Sequence, residues 1–166
     1  MKVMKAALGG TFDPLHAGHK KLIEKAVELA GRNVVIGVTS DEMARRRFRT
    51  VMPYRIRVEN LKRYFLKKYG FQPVVEKIED AFGKAIEEDY DYIVVSPETE
   101  KVARKINEVR KKAGKKEIKI VVVDWFFADD GKPLSATRIK KGEVNRYGEI
   151  IGGVEVESSS GFEESS

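Results

Sequence analysis

The two histidines of this chain are the residues whose type and spacing most directly suggest chemistry. His16 and His19 stand together in the stretch "GGTFDPLHAGHK", and the rest of the chain has no histidine. Imidazole N–H groups can donate hydrogen bonds to phosphoryl oxygens as negative charge builds up in a transition state. The chain has no cysteine, which excludes a cysteine nucleophile and a thiolate metal site. Since two histidines alone cannot build a metal cage, we predict no protein-held metal and a phosphate-directed role for the pair.

The residues around the histidines fit an anion-binding turn. Gly9 and Gly10 let the backbone turn sharply off a strand and approach a ligand, and the following helix start offers unpaired N–H groups with a partial positive charge. We expect Thr11 to face the same anion, Gly18 to leave room for it and Lys20 to add a positive charge. The alternatives are a packing role for a histidine and a capping role for Thr11.

The elements that must position these groups alternate along the chain. Short apolar runs predict strands, and apolar residues at helical spacing between them predict helices. The predicted strands are residues 2–8, 33–38, 73–78, 92–95 and 118–124, the last of them fully buried. This alternation predicts an α/β fold, a Rossmann-like doubly wound parallel sheet of five strands in the order 3-2-1-4-5. Ligands bind such a sheet where the order reverses, beside the carboxyl ends of the first and fourth strands.

The segment "SPET" follows the predicted fourth strand and therefore reaches the same crevice as the histidine turn. We predict that Ser96, Glu98 and Thr99 contact the ligand. Ser-Pro-Glu is also a good start for a helix, with Ser96 as N-cap and Pro97 as first helical residue, and the position at the crevice favours the ligand role.

A basic cluster, "ARRRFR" at residues 44–49, follows the second predicted strand and lies near the crevice rim. We predict that Arg45, Arg46 and Arg47 form a clamp for substrate phosphate. The alternatives are a solvated face and a nucleic-acid patch.

The composition indicates one domain with an anionic partner. The chain has 166 residues and a net charge of +6, and residues 152–166 hold four Glu and no Lys or Arg, so the rest is more basic still. We predict a domain over residues 1–151 and a low-complexity, disordered tail over 152–166. No apolar run is long enough for a membrane span. We therefore expect a cytoplasmic protein that binds no membrane, and the abundance of Lys and Glu is typical of a heat-adapted source.

At "GGTFDPLHAGHK" the chain resembles the nucleotidylyltransferase superfamily, which carries a Thr/His-x-Gly-His motif. That superfamily also has a second motif, Ser-Ser-Thr-x-x-Arg or Lys, at the start of a helix near the C-terminus. "PLSATRIKKGE" occupies its place, with Ser135, Thr137 and Lys140 matching and Ala136 replacing the second Ser. We predict a helix from about residue 135 to 141 there.

Four segments together look most like the archaeal and eukaryotic type of phosphopantetheine adenylyltransferase: the histidine turn, "GVTSDEMARRR", "VSPETEKVARKIN" and "DGKPLSATRIKKGEV". The resemblance implies that ATP and 4′-phosphopantetheine give dephospho-coenzyme A and pyrophosphate, with Mg²⁺ accompanying ATP. The site residues that it implies are catalytic His16, His19 and Lys20; ATP-binding Gly9, Gly10, Thr11, Phe12, His16, His19, Ser96, Glu98, Thr99, Ser135, Thr137 and Lys140; and acceptor-binding Thr11, Arg45, Arg46 and Arg47.

Other functions stay open at this point. Nicotinamide mononucleotide adenylyltransferases and glycerol-phosphate cytidylyltransferases share the superfamily, although their usual further motifs are missing here. A basic nucleic-acid-binding module would leave the histidines without a role, so we expect no nucleic-acid partner. A non-catalytic nucleotide sensor is allowed by Ala136. We expect a monomer or a small homo-oligomer.

Overall fold

The sheet is the frame on which every candidate residue is placed. The structure, a computed structural model, describes residues 3–151; the tail predicted over 152–166 lies outside them. Five parallel strands run in the order β3-β2-β1-β4-β5. They are β1 (Ala6–Gly10), β2 (Val34–Thr39), β3 (Val74–Ile78), β4 (Tyr92–Val95) and β5 (Lys119–Val122). The predicted fold class and strand order are confirmed.

Five helices connect or follow these strands in the described part of the chain. They are α1 (Ala17–Ala30), α2 (Asp41–Arg45), α3 (Tyr54–Tyr69), α4 (Glu100–Lys112) and α5 (Ala136–Lys140). Pro53 is the N-cap of α3, and Gly70 ends it with a left-handed φ of 80°, because glycine adopts that conformation without steric cost. No helix in residues 3–151 is both long and apolar enough to cross a membrane.

The two faces of the sheet have separate apolar cores because successive strand residues point to opposite faces. Leu8 of β1 belongs to a cluster with Ile23 of α1 and Leu61 and Phe65 of α3. Its neighbour Ala7 belongs to the cluster on the other face. That second cluster also contains Val35, Ala85, Tyr90, Ile106 and Ile118.

Three predictions about the strands and helices were wrong. Strand β1 is Ala6–Gly10 and not residues 2–8, so Gly9 and Gly10 belong to the strand and not to the turn after it. The helix α4 begins at Glu100 with Thr99 as N-cap, not at Ser96, because residues 97–99 form a turn closed by the Thr99 N–H donating to the Ser96 carbonyl. Strand β5 is not fully buried: it lies at the edge of the sheet and exposes Lys119 and Val122. The buried apolar residues of that run, Ile118 and Val123, stand just outside the strand, which is why the sequence pattern looked like a central strand.

Candidate active site

A cavity of about 770 Å³ opens at the carboxyl ends of the strands. The predicted order places the crevice between β1 and β4, and the cavity includes residues from the ends of both strands. Most of the predicted site residues line it. They are Gly9, Gly10, Thr11, Phe12, His16, His19, Arg47, Ser96, Glu98, Thr99 and Ser135.

The two histidines are locked together at the start of α1. His16 is the N-cap, and its Nδ1 accepts from the Gly18 N–H at 3.0 Å, while His19 Nδ1 accepts from the His16 N–H at 3.1 Å. The rings stack with centroids 3.7 Å apart. This is a capping box in which imidazoles replace the usual hydroxyl and carboxylate. Each ring therefore has one fixed orientation.

The capping bonds also decide which nitrogen carries the proton. A backbone N–H can only donate, so Nδ1 of each ring must be unprotonated, and a neutral imidazole then has its proton on Nε2. Neither Nε2 atom is among the buried side-chain atoms of residues 3–151 that lack a hydrogen-bond partner. With both histidines lining the cavity, the arrangement presents two Nε2–H donors.

Burial keeps both rings neutral. Desolvation lowers the pKa of His16 from 6.5 to about 4. Desolvation also lowers the pKa of His19 well below 6.5, and the neighbouring His16 lowers it further. Near neutral pH, without a ligand, the site thus has two uncharged donors rather than two cations.

The glycines act differently from the sequence prediction. Neither Gly9 nor Gly10 has a positive φ; the left-handed residue of the turn is Phe12, with φ 56°. A Cβ on Gly18 would lie 2.9 Å from His16 Cε1. Gly18 therefore makes room for the imidazole of His16, where we expected it to make room for the anion.

The first amides of α1 are used within the protein, against the expectation that they stay unpaired. The Ala17 N–H donates to the Arg146 carbonyl at 2.9 Å, and the Gly18 N–H is taken by His16. The donors that remain for an anion at this turn are mainly the imidazoles.

Arg57 is the principal site residue that the sequence analysis missed. Its side chain is fully buried, and its Nη1 donates to the carbonyls of Thr11 at 3.0 Å and Thr39 at 2.9 Å. Arg57 does not line the cavity itself, but it joins the ends of β1 and β2, where Thr11 and Thr39 line the cavity. The signal was present in α3, because Arg57 stands at helical spacing with the core residues Leu61 and Phe65.

The second motif is only partly turned toward the cavity. Ser135 lines it and caps α5, its Oγ accepting from the Arg138 N–H at 3.3 Å. Thr137 is not among the lining residues. Lys140 is not either: its Nζ donates to Asp13 Oδ2 at 2.9 Å and to the Thr50 carbonyl at 3.0 Å. Its charge is thus already paired.

Of the other basic residues predicted for the site, one lines the cavity and three do not. Arg47 lines the cavity and lies 3.8 Å from Glu98 across its mouth. Arg45 and Arg46 are exposed and do not line it. The structure does not bring Lys20 to the cavity, because its ammonium lies over the ring of Tyr64, 5.0 Å from the centroid.

Further residues enlarge the cavity beyond the predicted set. The segment 124–126 after β5 contributes to the wall, as do Tyr90 and Glu76, which are joined by a 3.0 Å hydrogen bond. Phe82 and Ile106 add apolar surface on the α4 side. Residues 3–151 contain no group of three or more His, Asp or Glu side chains that could hold a metal ion.

Comparisons with known proteins agree with this geometry. The sequence model of the cytidylyltransferase-like family matches residues 7–142. Phosphopantetheine adenylyltransferase of Archaeoglobus fulgidus is 60% identical over 148 residues, covering 89% of this chain and 100% of the relative. The protein of the same name from Methanosarcina mazei is 50% identical over 150 residues, covering 88% of this chain and 96% of the relative.

A solved structure supports the fold independently. The crystal structure of an A. fulgidus protein described as of unknown function superposes with a TM-score of 0.72 at 58% identity, covering 74% of this chain and 91% of that one. One assignment follows from three findings: the cavity at the β1–β4 crevice, the paired histidines and the high identity of these relatives over most of the chain. The chain belongs to the phosphopantetheine adenylyltransferase family, within the cytidylyltransferase-like group.

Proposed function

We propose that this chain transfers the adenylyl group of ATP to 4′-phosphopantetheine, giving dephospho-coenzyme A and pyrophosphate. The observation that carries the proposal is the histidine pair, in which backbone amides occupy both Nδ1 atoms and leave two Nε2–H donors at the cavity. An oxygen of the acceptor phosphate forms the new bond to the α-phosphorus of ATP. The bond from that phosphorus to the bridging oxygen breaks, and pyrophosphate leaves with the electron pair.

The histidines suit this reaction as hydrogen-bond donors rather than as bases. Since Nε2 already has its proton and Nδ1 accepts an amide, neither ring can take a proton from a nucleophile. None is needed, because a phosphate monoester has a second pKa of about 6 and is largely dianionic at neutral pH. His16 would donate to the ATP phosphates and His19 to the α-phosphoryl group, where negative charge grows in the transition state.

Other residues of the cavity would hold the two anions in line. Thr11 is suited to the acceptor phosphate, and Arg47 to either substrate at the cavity mouth. Ser135 can donate its hydroxyl proton to ATP while its oxygen still caps α5. Lys140 can contribute only if a phosphate replaces Asp13 as its partner. The apolar wall near Phe82 gives room for the uncharged arm of the acceptor.

Mg²⁺ would enter with ATP as part of the substrate, bound through phosphate oxygens and water. Its charge would offset that of the triphosphate. A cytoplasmic location, and a monomer or small homo-oligomer, stay predictions from the sequence.

The test is pyrophosphate release from MgATP. Purified protein is given 4′-phosphopantetheine, nicotinamide mononucleotide or glycerol 3-phosphate, each in separate reactions. His19→Ala should lower kcat about 10²-fold or more and leave ATP affinity nearly unchanged, because its contact strengthens in the transition state. The matched control is Lys25→Ala on the same helix. Within residues 3–151 this partly exposed lysine pairs with Glu28, and we expect the variant to keep full activity.

The outcomes separate the candidate functions. Release with 4′-phosphopantetheine alone supports the proposal. Release with one of the other acceptors assigns a different transferase, and ATP binding without release from any acceptor indicates a nucleotide sensor. Equal losses of kcat and ATP affinity in His19→Ala would contradict the transition-state role of that ring.

A further inference from the structure

A chain of three hydrogen-bonding groups runs from buried Arg57 to Thr39 and Thr11, which both line the cavity. Arg57 Nη1 donates to Thr39 Oγ1 at 3.3 Å, and Thr39 Oγ1 donates to Thr11 Oγ1 at 3.0 Å. We propose that Thr39 is a positioning residue, which fixes the Thr11 hydroxyl as a donor toward the phosphate of the acceptor. This proposal rests on the proposed function, and it adds a residue that neither motif contains.

The geometry of the two hydroxyls makes Thr39 the donor and Thr11 the acceptor. A guanidinium can only donate, so Arg57 occupies a lone pair of Thr39 Oγ1. The one hydroxyl proton of Thr39 is then used on Thr11 Oγ1. With its oxygen accepting from Thr39, Thr11 keeps its own proton for another partner, and no described residue takes it. Thr11 lines the cavity, so that partner is a ligand.

Burial makes this direction stable. Thr39 is only 8% exposed and Arg57 is 0% exposed, so water does not compete strongly for their hydrogen bonds. A hydroxyl without fixed partners would rotate among several orientations. A phosphate oxygen can only accept, so it would bind the hydroxyl in the one orientation that points the proton toward it. Setting that rotamer in advance removes the ordering cost at the moment of binding or reaction.

The sheet places the two threonines together. Gly10 of β1 pairs with Val38 of β2 in the parallel register, so Thr11 and Thr39, the next residues, meet at the same edge. The contact therefore depends on the pairing of β1 with β2, because the two threonines are 28 positions apart in the sequence.

The experiment is a double-mutant cycle on Thr39 and Thr11. Thr39→Val has nearly the same shape and leaves Arg57 Nη1 its two carbonyl acceptors, so the fold should persist, as circular dichroism and thermal unfolding would check. We expect kcat/KM for 4′-phosphopantetheine to fall about 5- to 10-fold, with KM for ATP unchanged. Thr39→Ser keeps the hydroxyl and should restore most of the activity.

Non-additivity is the result that a merely structural role would not give. If Thr39 acts through Thr11, the double variant Thr11→Val/Thr39→Val should be no worse than Thr11→Val alone. Losses that multiply would overturn the proposal, and so would a Thr39→Ser variant as poor as Thr39→Val.

A binding measurement tests this proposal separately from the proposed function. The Kd of 4′-phosphopantetheine is measured by calorimetry in the wild type, both single variants and the double variant, where we expect the same non-additive pattern. Binding with that pattern but without pyrophosphate release would overturn the proposed function and support the hydrogen-bond chain. Equal Kd values in all four proteins, or no binding in any of them, would overturn the role of Thr39.

Discussion

Two buried arginines use the same chemistry in different parts of the molecule. Arg57 in α3 is 0% exposed and Arg110 in α4 is 1% exposed, and each donates to several backbone carbonyls and to one carboxylate. Arg57 joins Thr11 and Thr39 at the edge of the sheet where the cavity lies. Arg110 instead holds the irregular segment 85–88 against the other face.

The difference shows that location, not chemistry, decides whether a buried cation serves function. Both guanidiniums donate to backbone carbonyls that lie mostly outside the helices and strands, which offsets part of the cost of burying a charge. Thr11 and Thr39, which accept from Arg57, line the cavity together with both histidines, whereas Ala85 is the one carbonyl partner of Arg110 that lines it. We therefore expect both arginines to stabilise the fold and Arg57 to have the larger effect on the geometry of the site.

The largest expected effect is the loss of stability on replacing either arginine by methionine. Arg57→Met and Arg110→Met keep an unbranched apolar side chain but leave several buried carbonyls and a carboxylate without their donor. Each should lower the free energy of unfolding by about 3 to 5 kcal/mol, measured by urea denaturation.

Each helix offers a control for that experiment. Arg55 and Arg104 are exposed and pair with a glutamate one turn away, so their methionine variants should change stability by no more than about 0.5 kcal/mol. At a temperature where all four variants are folded, Arg57→Met should lose far more kcat/KM than Arg110→Met. Equal kinetic losses would break the comparison.

The second prediction concerns pH, because only the Arg57 region lies beside histidines. The folded-state pKa of His16 is about 4 and the ordinary value is 6.5, so between these values the unfolded chain binds a proton that the folded chain does not. Stability is therefore full above pH 6.5 and falls as pH drops toward 4, by about 3 kcal/mol for this group. Urea unfolding at several pH values measures it.

His16→Asn is the matched variant for the pH experiment, since asparagine also caps a helix but does not titrate in this range. Its unfolding free energy should fall less than that of the wild type between pH 6.5 and 4, and the gap should stop widening below pH 4. Parallel curves for the two proteins would contradict the buried neutral ring. Arg110→Met should leave the pH dependence in this range unchanged.

The smallest expected effect is the difference in stability contributed by the two carboxylates that pair with these arginines. The hydrogen bond from Arg57 lowers the pKa of Asp41, and that from Arg110 lowers the pKa of Asp89. Each carboxylate contributes stability that is present above pH 3.8 and is lost as pH falls through its folded-state pKa. The Asp41 side chain is 35% exposed and that of Asp89 is 85% exposed, so water screens the second pair more strongly.

Asp41→Asn should therefore lower the thermal unfolding midpoint more than Asp89→Asn at pH 7. The two variants make the same chemical change, and Asp41 differs from Asp89 in its lower exposure and in a further hydrogen bond from the Tyr54 backbone N–H. A larger shift for Asp89→Asn would mean that the two arginines depend on their carboxylates in another way.

Local signals were enough for much of the fold. Apolar periodicity predicted the five strands, and alternation with helices predicted their order, which the structure confirms. Element ends were less certain: α4 starts at Glu100 and not near Ser96, because a turn and a helix start share the same favourable residues. The edge position of β5 depends on which strand pairs with which, and a short apolar run does not show that.

The candidate site, like the fold, was predicted in part from local signals, and the rest depended on tertiary contacts. The spacing of His16 and His19 predicted a pair of imidazoles at a helix start, since residues three apart share one face of a helix. Their capping bonds, neutral state and single free donor each follow from tertiary burial and from hydrogen bonds that spacing alone does not specify. Arg57 was hidden because a charged residue in a helix usually faces solvent.

By itself the sequence determined the type of sheet, the edge at which ligands meet it and the residue types gathered there, because periodicity and turn chemistry act over a few residues. The tertiary structure alone decided which of those groups remain available. The Lys140 ammonium pairs with the Asp13 carboxylate, 127 positions away in the sequence. The Thr11 hydroxyl accepts a hydrogen bond from Thr39 of the neighbouring strand, which leaves its own proton for a ligand. The physical reason is that a polar group's free donors depend on every partner that the fold brings within hydrogen-bonding distance.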